Sequence, residues 1–93
     1  MTDGAHRRIL QIVNEKGLHA RASAKFAECV ERFDADAVVR RDGQSAAGES
    51  IMGLLMLAAH RGTSIEVETR GAQAGALLDA LDALVADRFG EGR

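Results

Sequence analysis

Apolar and polar positions along this chain follow two periods, and the switches between them mark its elements. Arg8 to Asn14 reads as a strand: Leu10 and Ile12 alternate with Ile9, Gln11 and Val13. Both sets are largely apolar, so the period alone does not say which side is buried. From Ala20 to Arg32 the spacing becomes helical, with Phe26, Ala27, Val30 and Phe33 on one stripe and Lys25, Glu28, Glu31 and Arg32 largely away from it. Asp34-Ala35-Asp36 ends that helix. Ala37–Arg41 reads as a strand and Asp42-Gly43 as a hairpin turn, since Asp-Gly supplies the positive φ angles of tight turns. The return strand, about Gln44 to Gly48, is weak because Ser45, Ala46 and Ala47 have little β propensity. Ile51–Ala59 is rich in Leu, Met and Ala, which favours helix; Ser50 stands as its N-cap and His60-Arg61-Gly62 as its end. Ser64–Thr69 alternates cleanly, predicting buried Ile65 and Val67 and exposed Glu66 and Glu68. The last helix, about Gln73 to Arg88, places Leu77, Leu78, Leu81, Leu84 and Val85 on one stripe that Phe89 can extend. Met1–Arg7 and Gly90–Arg93 read as loose ends.

The order β-α-β-β-α-β-α suits an α+β fold, one sheet with its helices packed on one side. The 93 residues predict a single domain over 1–93, its core about 8–89, with short flexible termini. Three Phe with no Tyr or Trp leave no stacking platform for single-stranded nucleic acid, and a net charge of -2 gives no basic footprint. One cysteine cannot form an internal disulfide, which fits a reducing cytoplasm. Cys29 itself reads as a small residue at the margin of the first helical stripe. Met1–Arg8 has no apolar signal region, and the 51–59 run is far below the ~20 residues that span a bilayer. The expectation is a soluble intracellular domain that binds neither membrane nor nucleic acid.

Chemistry concentrates in Gly17-Leu18-His19-Ala20-Arg21-Ala22-Ser23, where a histidine falls at a strand-to-helix joint beside an arginine. A helix start leaves about four N–H groups without intrahelical partners, and its dipole favours anions, so it is a seat for phosphate. Histidine there offers a nucleophilic nitrogen beside that seat. Taken alone, such a histidine is more often structural, and the segment leaves both roles open. The 51–59 helix is apolar on more than one face, which suits either a docking patch or a fully buried connector. There is no GxSxG, no metal-ligand spacing among His6, His19 and His60, and no Gly-rich nucleotide loop. No metal or cofactor is expected.

Two segments, Gly17-Leu18-His19-Ala20-Arg21 and Ser50-Ile51-Met52-Gly53-Leu54, together resemble the paired signatures of HPr, the histidine phosphocarrier of the phosphoenolpyruvate-dependent phosphotransferase system. Their order and separation match, and the resemblance covers roughly Arg8 to Asp87. It implies an open-faced sandwich, a four-stranded antiparallel sheet with three helices on one face. It further implies a carrier rather than an enzyme in its own right. His19 would accept a phosphoryl group on Nδ1 from enzyme I and pass it to EIIA-type proteins. Arg21 would stabilise its charge, and the backbone N–H groups of Ala20, Arg21, Ala22 and Ser23 would seat its oxygens. Ser50 matches a position that a dedicated HPr kinase/phosphorylase phosphorylates in many members. Ile51, Met52, Leu54 and Leu55 would form the docking surface of a cytoplasmic monomer.

The family usually carries proline after the active-site arginine, where this chain has Ala22. Proline is pre-organised for a first helical turn; alanine restores a donor and loosens the turn. Two other functions fit parts of the pattern. A nitrogen-related regulatory paralogue would use the same histidine without sugar uptake, and a binding module controlled at Ser50 would transfer nothing.

Overall fold

Every second residue of the first strand turns toward the helices, and this decides the side that its apolar pattern left open. In a computed structural model, which describes residues 5–92, β1 spans His6–Gln11 and Leu10 is buried while Ile9 is 62% exposed on the far face. The strand begins at His6, so His6 and Arg7 are paired backbone rather than part of a loose end; residues 1–4 lie outside the described residues. Arg8, on the same side as Leu10, reaches Asp82 at 2.7 Å and Asp79 at 3.1 Å on the last helix.

The remaining elements are α1 (Ala20–Glu31), β2 (Asp36–Arg41), β3 (Gln44–Ala47), α2 (Ile51–Met56), β4 (Ser64–Arg70) and α3 (Ala74–Ala86), followed by a 3-10 turn at Arg88–Gly90. The four strands form one antiparallel sheet in the order β1-β4-β2-β3. The central strand β4 thus lies between the chain's first strand and its β2–β3 hairpin. Leu10, Ile65, Val67, Ala37, Val39 and Ala46 make the sheet's contribution to the core, and Phe26, Val30, Leu54, Leu77, Leu81 and Val85 come from the three helices. The open-faced sandwich of the sequence reading is the fold. No helix among the described residues is long and apolar enough to cross a membrane.

Three local expectations are corrected. α2 stops at Met56, earlier than Ala59, with Leu57 as C-cap and Ala58 in the left-handed region at φ 53°. An alanine there carries a steric cost, so nothing in its residue type announces the turn. Glu68, expected on the solvent face, is only 5% exposed because Arg40 at 2.9 Å, Arg70 at 2.8 Å and Arg7 at 3.8 Å enclose it. The hydrogen bond from Arg40 is the main reason its carboxyl lies below the ordinary range; burial opposes the shift and Arg70 and Arg7 add to it. Finally, α3 ends at Ala86, and Arg88 and Phe89 adopt left-handed φ angles of 57° and 56°. That reversal drops Phe89 into the core at 1% exposure and turns the chain back across the start of α1.

Candidate functional site

The loop between β1 and α1 is braced from both sides. Asn14, fully buried, donates from Nδ2 to the Gly17 carbonyl at 2.8 Å, and the Gly17 N–H donates to the Asn14 carbonyl at 3.2 Å. Leu18 sits in the core and donates its N–H to the Ala59 carbonyl at 2.8 Å. The early end of α2 serves this contact, because the left-handed turn at Ala58 brings Ala59 alongside the loop. These two anchors fix the residue that follows.

That residue, His19, is the N-cap of α1 with extended backbone (φ -78°, ψ -175°). Its carbonyl accepts from Ser23 N–H at 2.8 Å, and its Nδ1 accepts from Arg21 N–H at 3.3 Å. On the other edge of the ring, Nε2 meets a carboxylate oxygen of Glu91, whose second oxygen accepts from Asn14 Nδ2 at 3.2 Å. The pairing is part-buried, with the two side chains 25% and 18% exposed. The His19 hydrogen bond, more than any other contact, holds the Glu91 carboxyl below its ordinary range, while burial opposes the shift and Asn14 and Lys16 assist it. Gly90–Gly92 is therefore not a free tail, since Glu91 lies against His19; Arg93 lies outside the described residues.

An open depression of about 590 Å³ lies over this joint, lined by Glu15, Lys16, His19, Ala20, Arg21, Glu91 and Gly92. Arg21 is exposed and its guanidinium has no ion pair among the described residues. The N–H groups of Ala20 and Ala22 likewise have no acceptor among the described residues. Ser23 leaves the expected phosphate seat, since its N–H is committed to His19 and its hydroxyl donates to the Leu18 carbonyl at 3.2 Å. What remains is a ring nitrogen, a guanidinium without an ion pair among the described residues, and helix-start N–H groups around one shallow opening. Such an arrangement suits a doubly charged anion that must be held without being enclosed.

The family model for the PTS HPr component phosphorylation site matches residues 6–87. The chain belongs to the HPr family. It is 46% identical over 83 residues to the phosphocarrier protein HPr of Neisseria meningitidis serogroup A, covering 89% of this chain and 93% of that one. The phosphocarrier protein NPr of Shewanella violacea is 40% identical over 84 residues, covering 90% and 92%. The crystal structure of HPr-C-His from Thermoanaerobacter tengcongensis superposes with a TM-score of 0.90 at 28% identity, covering 95% of this chain and 99% of that one. HPr proteins are phosphocarriers of the phosphotransferase system, and this chain is one of them.

The second signature lies on α2, apart from the depression. Ser50 is the N-cap, its Oγ accepting from Gly53 N–H at 3.0 Å. Ile51, Met52 and Met56 are exposed at 42%, 70% and 73%, and Leu55 is half-buried. Leu54 is fully buried in the core and takes no part in any surface. The apolar run is divided between the two faces: one stripe is core and the other faces outward. Sequence reasoning missed Met56, Asn14 and Glu91. For Glu91 a signal existed, because an aromatic at Phe89 beyond the helical stripe pins the chain immediately before it.

Proposed function

We propose that His19 is the phosphoryl acceptor, attacking through Nδ1 with enzyme I as donor and EIIA-type proteins as recipients. The observation that carries this reading is the division of labour on the ring. Nε2 is engaged by Glu91, which leaves Nδ1 facing the start of α1 and its N–H donors. When the N–P bond forms, Arg21 N–H exchanges its long contact with Nδ1 for a phosphoryl oxygen, and the Arg21 guanidinium offsets the added charge. A partner completes in-line transfer in this open site, so positioning and electrostatics rather than covalent help supply the rate. Incubation with enzyme I and phosphoenolpyruvate tests the reading: acid-labile label on the parent and none on His19→Ala supports it, and undiminished label on His19→Ala overturns it.

Ile51, Met52, Leu55 and the additional Met56 form the docking surface, and Ser50, at its edge, is the regulatory position of an HPr kinase/phosphorylase. A phosphate there is tolerated at an N-cap but sets about two negative charges beside an apolar face. Ser50→Asp is expected to fold normally and to accept phosphoryl more slowly; equal transfer kinetics would remove the regulatory role. The protein works as a cytoplasmic monomer of one domain. A second reading, a nitrogen-related regulatory relay, draws support from the 40% identity to an NPr. Transfer rates to sugar-type and nitrogen-type EIIA proteins decide between the two.

A further inference from the structure

We propose that Glu91 is a positioning residue for phosphoryl transfer: its carboxylate, oriented by Asn14, holds the proton of the His19 ring on Nε2 and so keeps the Nδ1 lone pair available as nucleophile. The inference rests on His19 as the acceptor and adds a residue that neither signature segment contains. Imidazole carries its single proton on one nitrogen or the other, and the partner of each nitrogen sets the choice. Here both edges of the ring agree. Nε2 faces a carboxylate, which only accepts, and Nδ1 faces the Arg21 N–H, which only donates. The ring satisfies both neighbours in one tautomer, Nε2–H.

Glu91 is built into place rather than resting there. Phe89 is buried, its carbonyl accepts from Lys25 Nζ at 2.7 Å, and Arg88, Phe89 and Gly90 all take positive φ angles to turn the chain back. Asn14 uses the same Nδ2 group for the Gly17 carbonyl and for Glu91, tying the carboxylate to the loop that carries His19.

The chemistry balances around this proton. Nδ1 contributes its electron pair to the new N–P bond, while the bond from phosphorus to the donor atom breaks and that atom keeps its pair. No proton moves: Nε2–H stays, the ring becomes cationic, and Glu91 faces the new charge. In the onward step the recipient's nucleophile forms its bond to phosphorus as the N–P bond breaks and its electrons return to Nδ1, so the group that leaves is neutral imidazole. A ring without its Nε2 proton would depart as an anion and be a poorer leaving group.

The experiment combines 15N NMR of the His19 ring nitrogens with single-turnover phosphorylation by enzyme I and phosphoenolpyruvate, on the full chain. The parent is expected to show the Nε2–H tautomer; an Nδ1–H ring in the parent overturns the proposal whatever any variant does. Glu91→Gln, which keeps the shape but can donate to Nε2, should show mixed tautomers and slow the saturated transfer rate by about 10-fold or more, with KM little changed. Glu91→Asp, which keeps the carboxylate, should restore most of the rate. A Glu91→Gln ring with the parent's tautomer overturns the proposal, whether or not the rate falls. Label remaining on His19→Ala is a different failure, that of the acceptor assignment itself.

Discussion

Position 17 accepts only glycine. Its φ is 66°, and a Cβ there would stand 2.6 Å from the Ala59 carbonyl oxygen and 2.7 Å from His60 Cα. A glycine in the Glu15-Lys16-Gly17 connection suits a positive φ or a close backbone approach, but its residue type does not say which backbone approaches; here it is Ala59, from the far side of α2. Gly17→Ala should destabilise the protein by more than about 1 kcal/mol in urea unfolding and depress phosphoryl uptake, because Leu18 loses its Ala59 anchor. Unchanged stability would show that the loop gives way. At Ala22 the reverse holds. Its N–H has no acceptor among the described residues, so Ala22→Pro removes no hydrogen bond. Urea unfolding should show a gain of about 0.4–1 kcal/mol for that variant. A loss would mean that the ring does not fit beneath this buried position.

Among the elements, those with one long stripe were readable and those whose ends depend on distant partners were not. The Phe26, Ala27, Val30 stripe of α1 and the Asp42-Gly43 hairpin stand as the pattern implies, the turn having φ of 51° and 79°. The stop of α2 was hidden because Ala58 takes a glycine-like conformation, one that the packing of Ala59 on the loop imposes. Alternation along β4 misled at Glu68, because period 2 assigns a face but not what covers it. Arg40 lies across the β2–β4 pair, opposite Glu66 in the register, and reaches Glu68 two residues further along β4. This cluster has a pH signature. As pH falls from the ordinary glutamate value of 4.5, the unfolded chain takes up its proton first, while the folded carboxyl stays ionised because its pKa is lowered. The stability that Glu68 contributes is therefore present above that value and disappears as pH drops through the lowered folded one. Urea midpoints of parent and Glu68→Gln should differ at neutral pH and converge in acid; a constant gap would assign the effect to packing alone.

For the whole molecule, the sheet and its helices followed from the element order, and the helical joint at His19 from a phosphate seat that any helix start offers. The return of the chain did not follow. Gly90-Glu91-Gly92 has the composition of a tail, and the burial of Phe89, with the hydrogen bonds that Asn14 and His19 make to Glu91, turns it into part of the fold. Phe89→Ala should cost about 3–5 kcal/mol in urea unfolding, in a single transition if the chain is one domain, and should also release Glu91 from His19. A cost near zero would show that the return is held elsewhere.

The contact between His19 and Glu91 joins residues 72 positions apart. A ribosome makes the histidine well before the carboxylate, so a nascent chain carries the signature loop and α1 before Glu91 exists to meet the ring. By the assignment above, the ring's full reactivity waits for residue 91. A chain that has not yet reached Glu91 would then compete less well for the donor.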